Sequence, residues 1–235
     1  MHSKLEQDRL HVAVDALILT EVEGKLNVLL SRRKDPPCEG CWSLPGRLVG
    51  LEESAEEAVA NLLQEMLPVQ SAYQEQLFTF TDVRRDERGR VISVAYLVIV
   101  PSMRLQTALA GSGSSLRLFS VATGEDALAL DGEGIRLTGS DLAFDHGQIL
   151  TVCVGRLRGK IEYTDIGFPF LNEPQAFALG ELQRVFEAVL GRQMDASNFR
   201  RFVAARYEST GRIEQTDMAG RGRRGRPAAL YRWIG

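Results

Sequence analysis

Apolar residues in the first part of the chain recur in short runs that are typical of β-strands. Four such runs are bounded by polar or glycine-containing turns, at residues 11–20, 25–33, 77–83 and 91–100. Runs of this length, rich in β-branched and other apolar residues, predict strands. The first two flank the turn signal Glu21–Gly24, so we expect them to form a hairpin.

One segment between these runs has a helical period instead. From Glu52 to Leu67 the apolar residues recur three and four positions apart, which predicts a helix. Ser54 followed by Glu57 is a capping-box pattern at its start, and Pro68 ends it. Strands around one central helix predict an α/β or α+β domain.

The second part of the chain changes from strand patterns to helix patterns. From Arg104 to Gly139 the pattern is weak, apart from a short strand LRLFSV. Past Asp145 the pattern predicts three helices, at 149–157, 179–190 and 198–207, with a turn at 191–195 between the last two. It also predicts two final strands, at 212–216 and 229–234. Two helices joined by a short turn and followed by two strands around a loop are typical of a winged helix-turn-helix. We therefore predict an N-terminal domain of residues 1–144 and a smaller C-terminal domain of residues 145–235.

Composition narrows the class of protein. The 235 residues are 44% hydrophobic and 25% charged, which is typical of a soluble globular chain. No apolar run reaches the ~18 residues of a membrane span, and the first residues do not have a targeting pattern. Three cysteines are too few for a disulfide framework. These features predict a cytoplasmic protein with no membrane partner.

Charge is distributed unevenly along the chain. Residues 1–150 contain 14 Lys+Arg and 22 Asp+Glu, a balance of −8, whereas residues 151–235 contain 14 and 9, a balance of +5. A basic module attached to an acidic domain indicates contact with nucleic acid through the basic part, although charge alone does not distinguish DNA from RNA or from an acidic protein.

The segment WSLPGRLVGLEESAEEAVANLLQEMLP, from Trp42 to Pro68, resembles the Nudix box. The pattern of that family is G-x5-E-x7-R-E-U-x-E-E-x-G-U, where U is a bulky aliphatic residue. Aligned on Gly46, its first glutamate is Glu52. Ala60 replaces its arginine, and a leucine at position 67 replaces its last glycine.

Three positions of this segment lie on one helix face, because they are three and four residues apart: Asn61, Gln64 and Glu65. Carboxylates at all three would bind Mg²⁺, which prefers oxygen ligands and activates an attacking water. Here two of the three are neutral amides. We therefore predict no catalytic residue, no metal site and no efficient hydrolysis of nucleoside diphosphates, so that Mg²⁺ would serve only a residual activity.

Other candidate metal or catalytic groups have structural explanations. Glu52, Glu53, Glu56 and Glu57 could form a metal cluster, but acids in the first turn of a helix commonly interact with the helix dipole. Cys38 and Cys41 have C-x-x-C spacing, yet no second ligand pair lies at zinc spacing from them. His11 and His146 are isolated histidines, for which a catalytic role is disfavoured.

The N-terminal domain can still bind a ligand. Four arginines lie in the turn between the third and fourth strands, where they could bind phosphate oxygens or form a solvated hairpin tip. Arg47 occupies a position where many Nudix sequences have a second glycine, and could replace the positive charge of a metal. We predict that five residues bind the ligand: Arg47, Glu65, Arg84, Arg85 and Arg88.

The C-terminal domain has two sets of candidate DNA-binding residues. The second helix of the helix-turn-helix presents Asn198, Arg200, Arg201 and Arg206, residue types that contact base edges or phosphates. The loop GRGRRGRP between the last two strands suits phosphates or a narrow minor groove, the alternative being a disordered surface loop. Its arginines are Arg221, Arg223, Arg224 and Arg226.

Both parts together resemble the Nudix-related transcriptional regulators of the NrtR type, over nearly the whole chain. Family-like pieces include FDHGQIL, RLRGKIEY, the element Phe199-Arg200-Arg201 and GRPAALY. The resemblance implies a bacterial, homodimeric regulator that binds a double-stranded DNA operator. It also implies a Nudix-like domain that senses a nucleotide or sugar metabolite such as ADP-ribose, in the control of NAD or sugar metabolism. We expect the effector to release the DNA.

Two other functions compete with this interpretation. The first is an active, Mg²⁺-dependent Nudix pyrophosphatase that acts on ADP-ribose or a related nucleoside diphosphate and has an accessory basic domain. The second is an RNA-binding module. We disfavour the second because readers of single-stranded RNA display stacking aromatic residues on an open sheet, whereas this C-terminal part has helices and an arginine loop.

Overall fold

The computed structural model describes residues 10–67, 73–110, 115–123, 128–219 and 229–235. In these ranges a large sheet contains nine strands: β1 (His11–Val22), β2 (Lys25–Arg32), β3 (Trp42–Ser43), β4 (Gly46–Leu48), β5 (Tyr73–Phe80), β6 (Val91–Ile99), β7 (Leu116–Thr123), β8 (Leu128–Gly132) and β9 (Ile135–Thr138). Its main path is β5-β6-β1-β2-β7-β8-β9, with β3 paired to β2 and β4 paired to β1. β1 is parallel to β6 and antiparallel to β2 and β4.

The described helices are α1 (Ala55–Met66), α2 (Ser102–Leu109), α3 (His146–Ile161), α4 (Leu179–Leu190) and α5 (Ala196–Val203), and α5 continues into a π-helical turn, Ala204–Glu208. Two 3-10 turns lie at Gly139–Asp141 and Phe168–Phe170. A second sheet has the order β10-β12-β11 and consists of β10 (Phe177–Ala178), β11 (Ile213–Ala219) and β12 (Ala229–Trp233). None of the helices in the described ranges is long and apolar enough to cross a membrane.

The centre of the large sheet is covered on both faces. Val14 and Ile18 of β1 pack with residues of α1 and α2, whereas Leu17 and Leu19 pack with residues of α3. Successive side chains of a strand point to opposite faces, so a strand buried on both sides is a continuous apolar run. This explains why β1 has an uninterrupted buried stretch.

The predicted elements occur with shifted ends. The capping box is confirmed, because the Ser54 hydroxyl accepts a hydrogen bond from the Glu57 backbone N–H at 3.1 Å while the Glu57 carboxylate accepts one from the Ser54 N–H at 2.8 Å. α1 therefore begins at position 55 and not at 52. β5 covers 73–80 instead of 77–83.

The weakly patterned segment 104–139 contains helical and strand elements that its sequence pattern does not predict. The last turns of α2 and strands β8 and β9 lie there, in addition to the expected strand β7. β8 and β9 are joined through Glu133 and Gly134, which both have positive φ angles. The short strands extend the large sheet on the side of β7.

α3 contacts elements on both sides of it in the sequence. Ile149 and Cys153 belong to the same apolar cluster as Leu17 of the large sheet, and this cluster continues into α4 through Phe186. Arg158 donates from Nε to the carbonyl oxygen of Val189 in α4 at 2.9 Å. The domain boundary at residue 145 stays a prediction, and α3, which follows it directly, packs with both parts.

The C-terminal part folds as the predicted helix-turn-helix. α4 ends where predicted, because Gly191 adopts a positive φ of 68° after its last residue. The Asp195 side chain accepts a hydrogen bond from the Asn198 N–H at 2.8 Å and starts α5. The predicted helix 198–207 corresponds to α5 and the π-helical turn, and β11 extends the predicted strand 212–216 to 213–219.

Gly147 lies at the point where the start of α3 packs closely against the backbone of Gly139. A Cβ atom at this position would lie 2.2 Å from the carbonyl oxygen of Gly139, whereas a Cβ at Gly155 in the same helix would have no atom within 4 Å. We expect Gly147→Ala to lower the free energy of unfolding by about 1–3 kcal/mol through overpacking. Gly155→Ala is the matched control and should raise it by roughly 0.5–1 kcal/mol, since alanine favours helix. Urea denaturation measures both, and equal effects would contradict the proposed close contact.

Candidate ligand cavity and nucleic-acid interface

A cavity of about 750 Å³ opens in the N-terminal part, between β1, the end of β2, β4 and the start of α3. Its volume is in the range of small-molecule sites. The lining is rich in cationic side chains: Arg32, Arg33, Lys34, Arg47, Arg85 and Arg88. Guanidinium groups bind phosphate oxygens through paired donors, so the cavity suits a ligand with more than one anionic oxygen.

A buried ion network forms one wall of this cavity. Arg85 donates from Nε and Nη2 to both carboxylate oxygens of Asp145, at 3.0 and 2.7 Å, and from Nη2 to Asp15 at 3.2 Å. Its side chain is 5% exposed. Asp15 also accepts a hydrogen bond from the Ser93 hydroxyl. Arg85 therefore connects β1 to the residue that precedes α3.

His146 belongs to the same wall. Its Nδ1 accepts a hydrogen bond from the backbone N–H of Leu44 at 2.9 Å, and its Nε2 lies 3.5 Å from Asp15. Burial lowers the pKa of His146, although the nearby carboxylates of Asp15 and Asp145 oppose this shift. A neutral imidazole with an acceptor at Nδ1 carries its proton on Nε2, facing Asp15.

Phe144 forms a platform for two arginines at the cavity. The guanidinium carbon of Arg33 lies 4.8 Å from the ring centroid, and that of Arg88 lies 5.3 Å from it. Phe144 has a φ of 55°, a backbone conformation that is uncommon for residues other than glycine. Asp86 binds Arg88 through both carboxylate oxygens, which holds the pKa of Asp86 below its usual value.

Arg47 lies at the edge of the cavity that faces α1. It pairs with Val14 across β4 and β1, and Val14 packs in the cluster that contains α1. The guanidinium forms ion pairs with Glu53 at 3.1 Å and with Glu65 of α1 at 3.8 Å. The side-chain amide of Asn61 donates to the other oxygen of Glu53 at 3.0 Å.

The Glu53 carboxylate has three polar partners, which are the Gly50 backbone N–H, the Asn61 side-chain amide and the Arg47 guanidinium. The backbone N–H of Gly50, the amide of Asn61 and the charge of Arg47 together hold the pKa of Glu53 below its usual value. In the described ranges no group of three or more His, Cys, Asp or Glu side chains is arranged to hold a metal ion. The two half-exposed cysteines of the C-x-x-C segment, Cys38 and Cys41, lie in the loop after β2.

Four of the five predicted ligand-binding residues line the cavity, namely Arg47, Glu65, Arg85 and Arg88. The structure does not bring Arg84 to it, because the Arg84 side chain is exposed and its backbone N–H is bonded to Asp82. The lining residues that sequence reasoning missed include Asp15, Arg33 and Phe144. The FDHGQIL segment contained a signal for Phe144, but Asp15 lies within an apolar run.

The predicted DNA-binding residues fall into two groups. Asn198, Arg200 and Arg201 are exposed on α5, and Arg201 donates to the Asn198 side chain. Arg206 is also exposed but donates to the carbonyl oxygen of Tyr163 in the segment after α3. The four arginines of the loop between β11 and β12, Arg221, Arg223, Arg224 and Arg226, lie outside the described residues.

The segment after α3 contacts the π-helical turn that follows α5. The Tyr207 hydroxyl donates to the carbonyl oxygen of Thr164 at 3.1 Å, and Arg212 forms an ion pair with Asp165. Arg192, in the turn between α4 and α5, pairs with Glu162 at 3.2 Å. α3 therefore begins at the wall of the cavity and leads directly to residues bonded to the helix-turn-helix.

Three comparisons with known proteins match this architecture. Residues 168–233 match the model of the NrtR DNA-binding winged helix domain. The ADPR responsive transcriptional repressor NtrR of Acinetobacter baylyi is 33% identical over 227 residues, which are 94% of this chain and 81% of the relative. The crystal structure of Shewanella oneidensis NrtR complexed with a 27mer DNA is 31% identical, with a TM-score of 0.74, and covers 94% of this chain and 93% of that one.

A MutT/nudix family protein from Enterococcus faecalis is 26% identical, with a TM-score of 0.79, over 97% of this chain and 90% of its own. The fold therefore defines a mixed α/β Nudix-like domain joined to a winged helix domain, as predicted. This combination of domains characterises a DNA-binding regulator. The function of a regulator is therefore favoured over that of a pyrophosphatase with an accessory domain. The chain belongs to the NrtR family of transcriptional regulators.

Proposed function

We propose that this protein is a homodimeric repressor that binds an operator through its winged helix domains and is released when ADP-ribose, or a closely related metabolite, occupies the cavity of its Nudix-like domain. A relative over nearly the whole chain is described as ADPR responsive. Such a protein acts on DNA in the cytoplasm. Two winged domains related by a two-fold axis would occupy two half-sites of an approximately palindromic operator.

The composition of the cavity is the observation that supports this ligand class. Six cationic side chains line a space large enough for a nucleotide-sized molecule, and they outnumber the four acidic residues of the lining, Asp15, Asp35, Glu65 and Asp86. ADP-ribose has a pyrophosphate with two negative charges, which suits this lining. The guanidinium groups of Arg33 and Arg88 both lie against the Phe144 ring, which holds two of these cationic side chains close together at the cavity.

The position of α3 supports the coupling between ligand and DNA. An effector changes DNA affinity only if it binds one arrangement of the winged domains more tightly than the other. Asp145, at the start of α3, is bonded to Arg85 in the cavity wall, and Arg158 further along α3 is bonded to α4. A ligand that displaces the cavity end of α3 would therefore move the helix-turn-helix.

We also propose that the protein does not hydrolyse its ligand. Asn61 and Gln64 stand where carboxylates would be needed, and the remaining Glu65 is 68% exposed and faces Arg47. Neutral amides do not neutralise a divalent cation. ADP-ribose should therefore be recovered intact after incubation with the protein and Mg²⁺.

Fluorescence anisotropy tests the regulator function. The probe is duplex DNA from upstream of the gene of this protein, and the control is a scrambled duplex of equal length. At near-physiological salt we expect a preference for the upstream duplex of about 10³ or more, and ADP-ribose added last should abolish it. Absence of binding to both duplexes, together with Mg²⁺-dependent cleavage of ADP-ribose, would contradict the proposal and favour the pyrophosphatase.

A further inference from the structure

In a Nudix hydrolase, one face of the helix that corresponds to α1 binds a divalent cation. In this chain the residues on that face, Asn61, Gln64 and Glu65, are not suited to bind a metal. Mg²⁺ requires several oxygen ligands, with carboxylates supplying the charge. Here the Asn61 amide donates its N–H to Glu53, so this side chain presents a donor on the side facing the carboxylate. The Glu53 carboxylate also accepts a hydrogen bond from the Gly50 backbone N–H and forms an ion pair with Arg47, so its oxygens already have partners.

A cation already lies at this face. The Arg47 guanidinium lies between Glu53 and Glu65, at 3.1 and 3.8 Å. A divalent ion bound by Glu65 would stand beside this charge, and like charges at such separations repel each other. We propose that Arg47 takes the place of the metal, so that the protein binds the pyrophosphate group of its effector without a divalent cation.

The pairing of β4 with β1 in the large sheet fixes the position of Arg47. Gly46 precedes it, and a Cβ there would lie 2.4 Å from the Asp15 carboxylate and 2.8 Å from the Val14 carbonyl oxygen. Glycine therefore lets β4 approach β1 closely, and the pairing of Arg47 with Val14 places the arginine on the α1 side. Because Arg47 also lines the cavity, its remaining donors can reach a bound anion.

This inference rests on the proposed function for the identity of the ligand. Two measurements distinguish a failure of the inference from a failure of the proposed function. Isothermal titration calorimetry with ADP-ribose is carried out in EDTA and in excess Mg²⁺. The affinity of the wild-type protein should be the same in both. Arg47→Ala should weaken binding by about tenfold to a hundredfold, the size of one charge-assisted hydrogen bond, and Arg84→Ala, outside the cavity, is the matched control.

The second measurement uses Mn²⁺ alone, followed by electron paramagnetic resonance. The wild-type protein should show no saturable binding, whereas the variant Arg47→Gly/Asn61→Glu/Gln64→Glu should bind Mn²⁺. Circular dichroism checks that the variants are folded. These positions are on the surface of α1 or half-exposed, so the fold should tolerate the changes.

The outcomes are distinguishable. ADP-ribose binding that is lost in EDTA, or saturable Mn²⁺ binding to the wild-type protein, would overturn the role of Arg47. A triple variant that does not bind Mn²⁺ would overturn the explanation that these three residues exclude the metal. No ADP-ribose binding under either condition would contradict the proposed effector, while the Mn²⁺ result would still decide whether the site excludes metal.

Discussion

Replacing Arg85 with methionine is expected to lower the free energy of unfolding by about 3–5 kcal/mol, the effect of removing one partner from a buried ion pair. Arg85 is the shared partner of Asp15 and Asp145, which are themselves nearly buried. Methionine retains the apolar stem of the side chain and removes the charge and all donors. Both carboxylates would then be left without their cation in a region of low water access. Chemical denaturation followed by circular dichroism measures the change.

The neighbouring residue provides a matched control. Arg84 has the same charge, but its side chain is exposed and lies outside the cavity. Arg84→Met should change the stability by no more than about 0.5 kcal/mol, as is usual for surface substitutions. If the two variants were equally stable, the Arg85 network would not stabilise the fold as we argue.

The elements that local patterns specify could be predicted from the sequence. α4 was predicted with its observed bounds because a strong apolar stripe is followed by Gly191, which can adopt the left-handed conformation at a helix end. The start of α1 was marked by Ser54 and Glu57, although the acidic residues before the cap extended the prediction too far. In both cases the signal lies within a few residues of the boundary.

The network at the cavity could not be predicted in the same way, because its members are far apart in the sequence. Asp15 and Arg85 are 70 residues apart, and Arg85 and Asp145 are 60 apart. In a turn with several arginines, no local pattern shows that Arg85 is buried while Arg84 is exposed. Only the folded arrangement of β1, the turn before β6 and the start of α3 distinguishes them.

The α3 segment shows a related difficulty. Its apolar stripe predicts a helix, which the structure confirms, but periodicity does not identify the partners of a helix. In the structure Leu150 and Leu157 share one apolar cluster with the large sheet and with α4. Only the folded structure shows that α3 packs against both the large sheet and α4, which is the contact that the proposed coupling requires.

Removing Arg200 and Arg201 is expected to weaken operator binding by about tenfold to a hundredfold for each arginine, the range for a base contact. Both are exposed on α5, which in a winged helix-turn-helix is the helix that enters the major groove. Phe199 and Val203 of the same helix are buried in the core, so the substitutions to alanine leave its packing intact. The measurement is fluorescence anisotropy with the upstream and scrambled duplexes over a range of salt concentrations.

The salt dependence separates two roles for these arginines. If they contact bases, the preference for the upstream duplex should fall, whereas loss of a phosphate contact weakens binding to both duplexes and reduces the salt slope by about 1. Arg136→Ala is the matched control for each single substitution, because Arg136 on β9 is 88% exposed and its loss lowers the net charge by one, as does the loss of Arg200 or Arg201 alone. Unchanged DNA affinity without Arg200 and Arg201, or an equal loss without Arg136, would show that α5 does not read the operator.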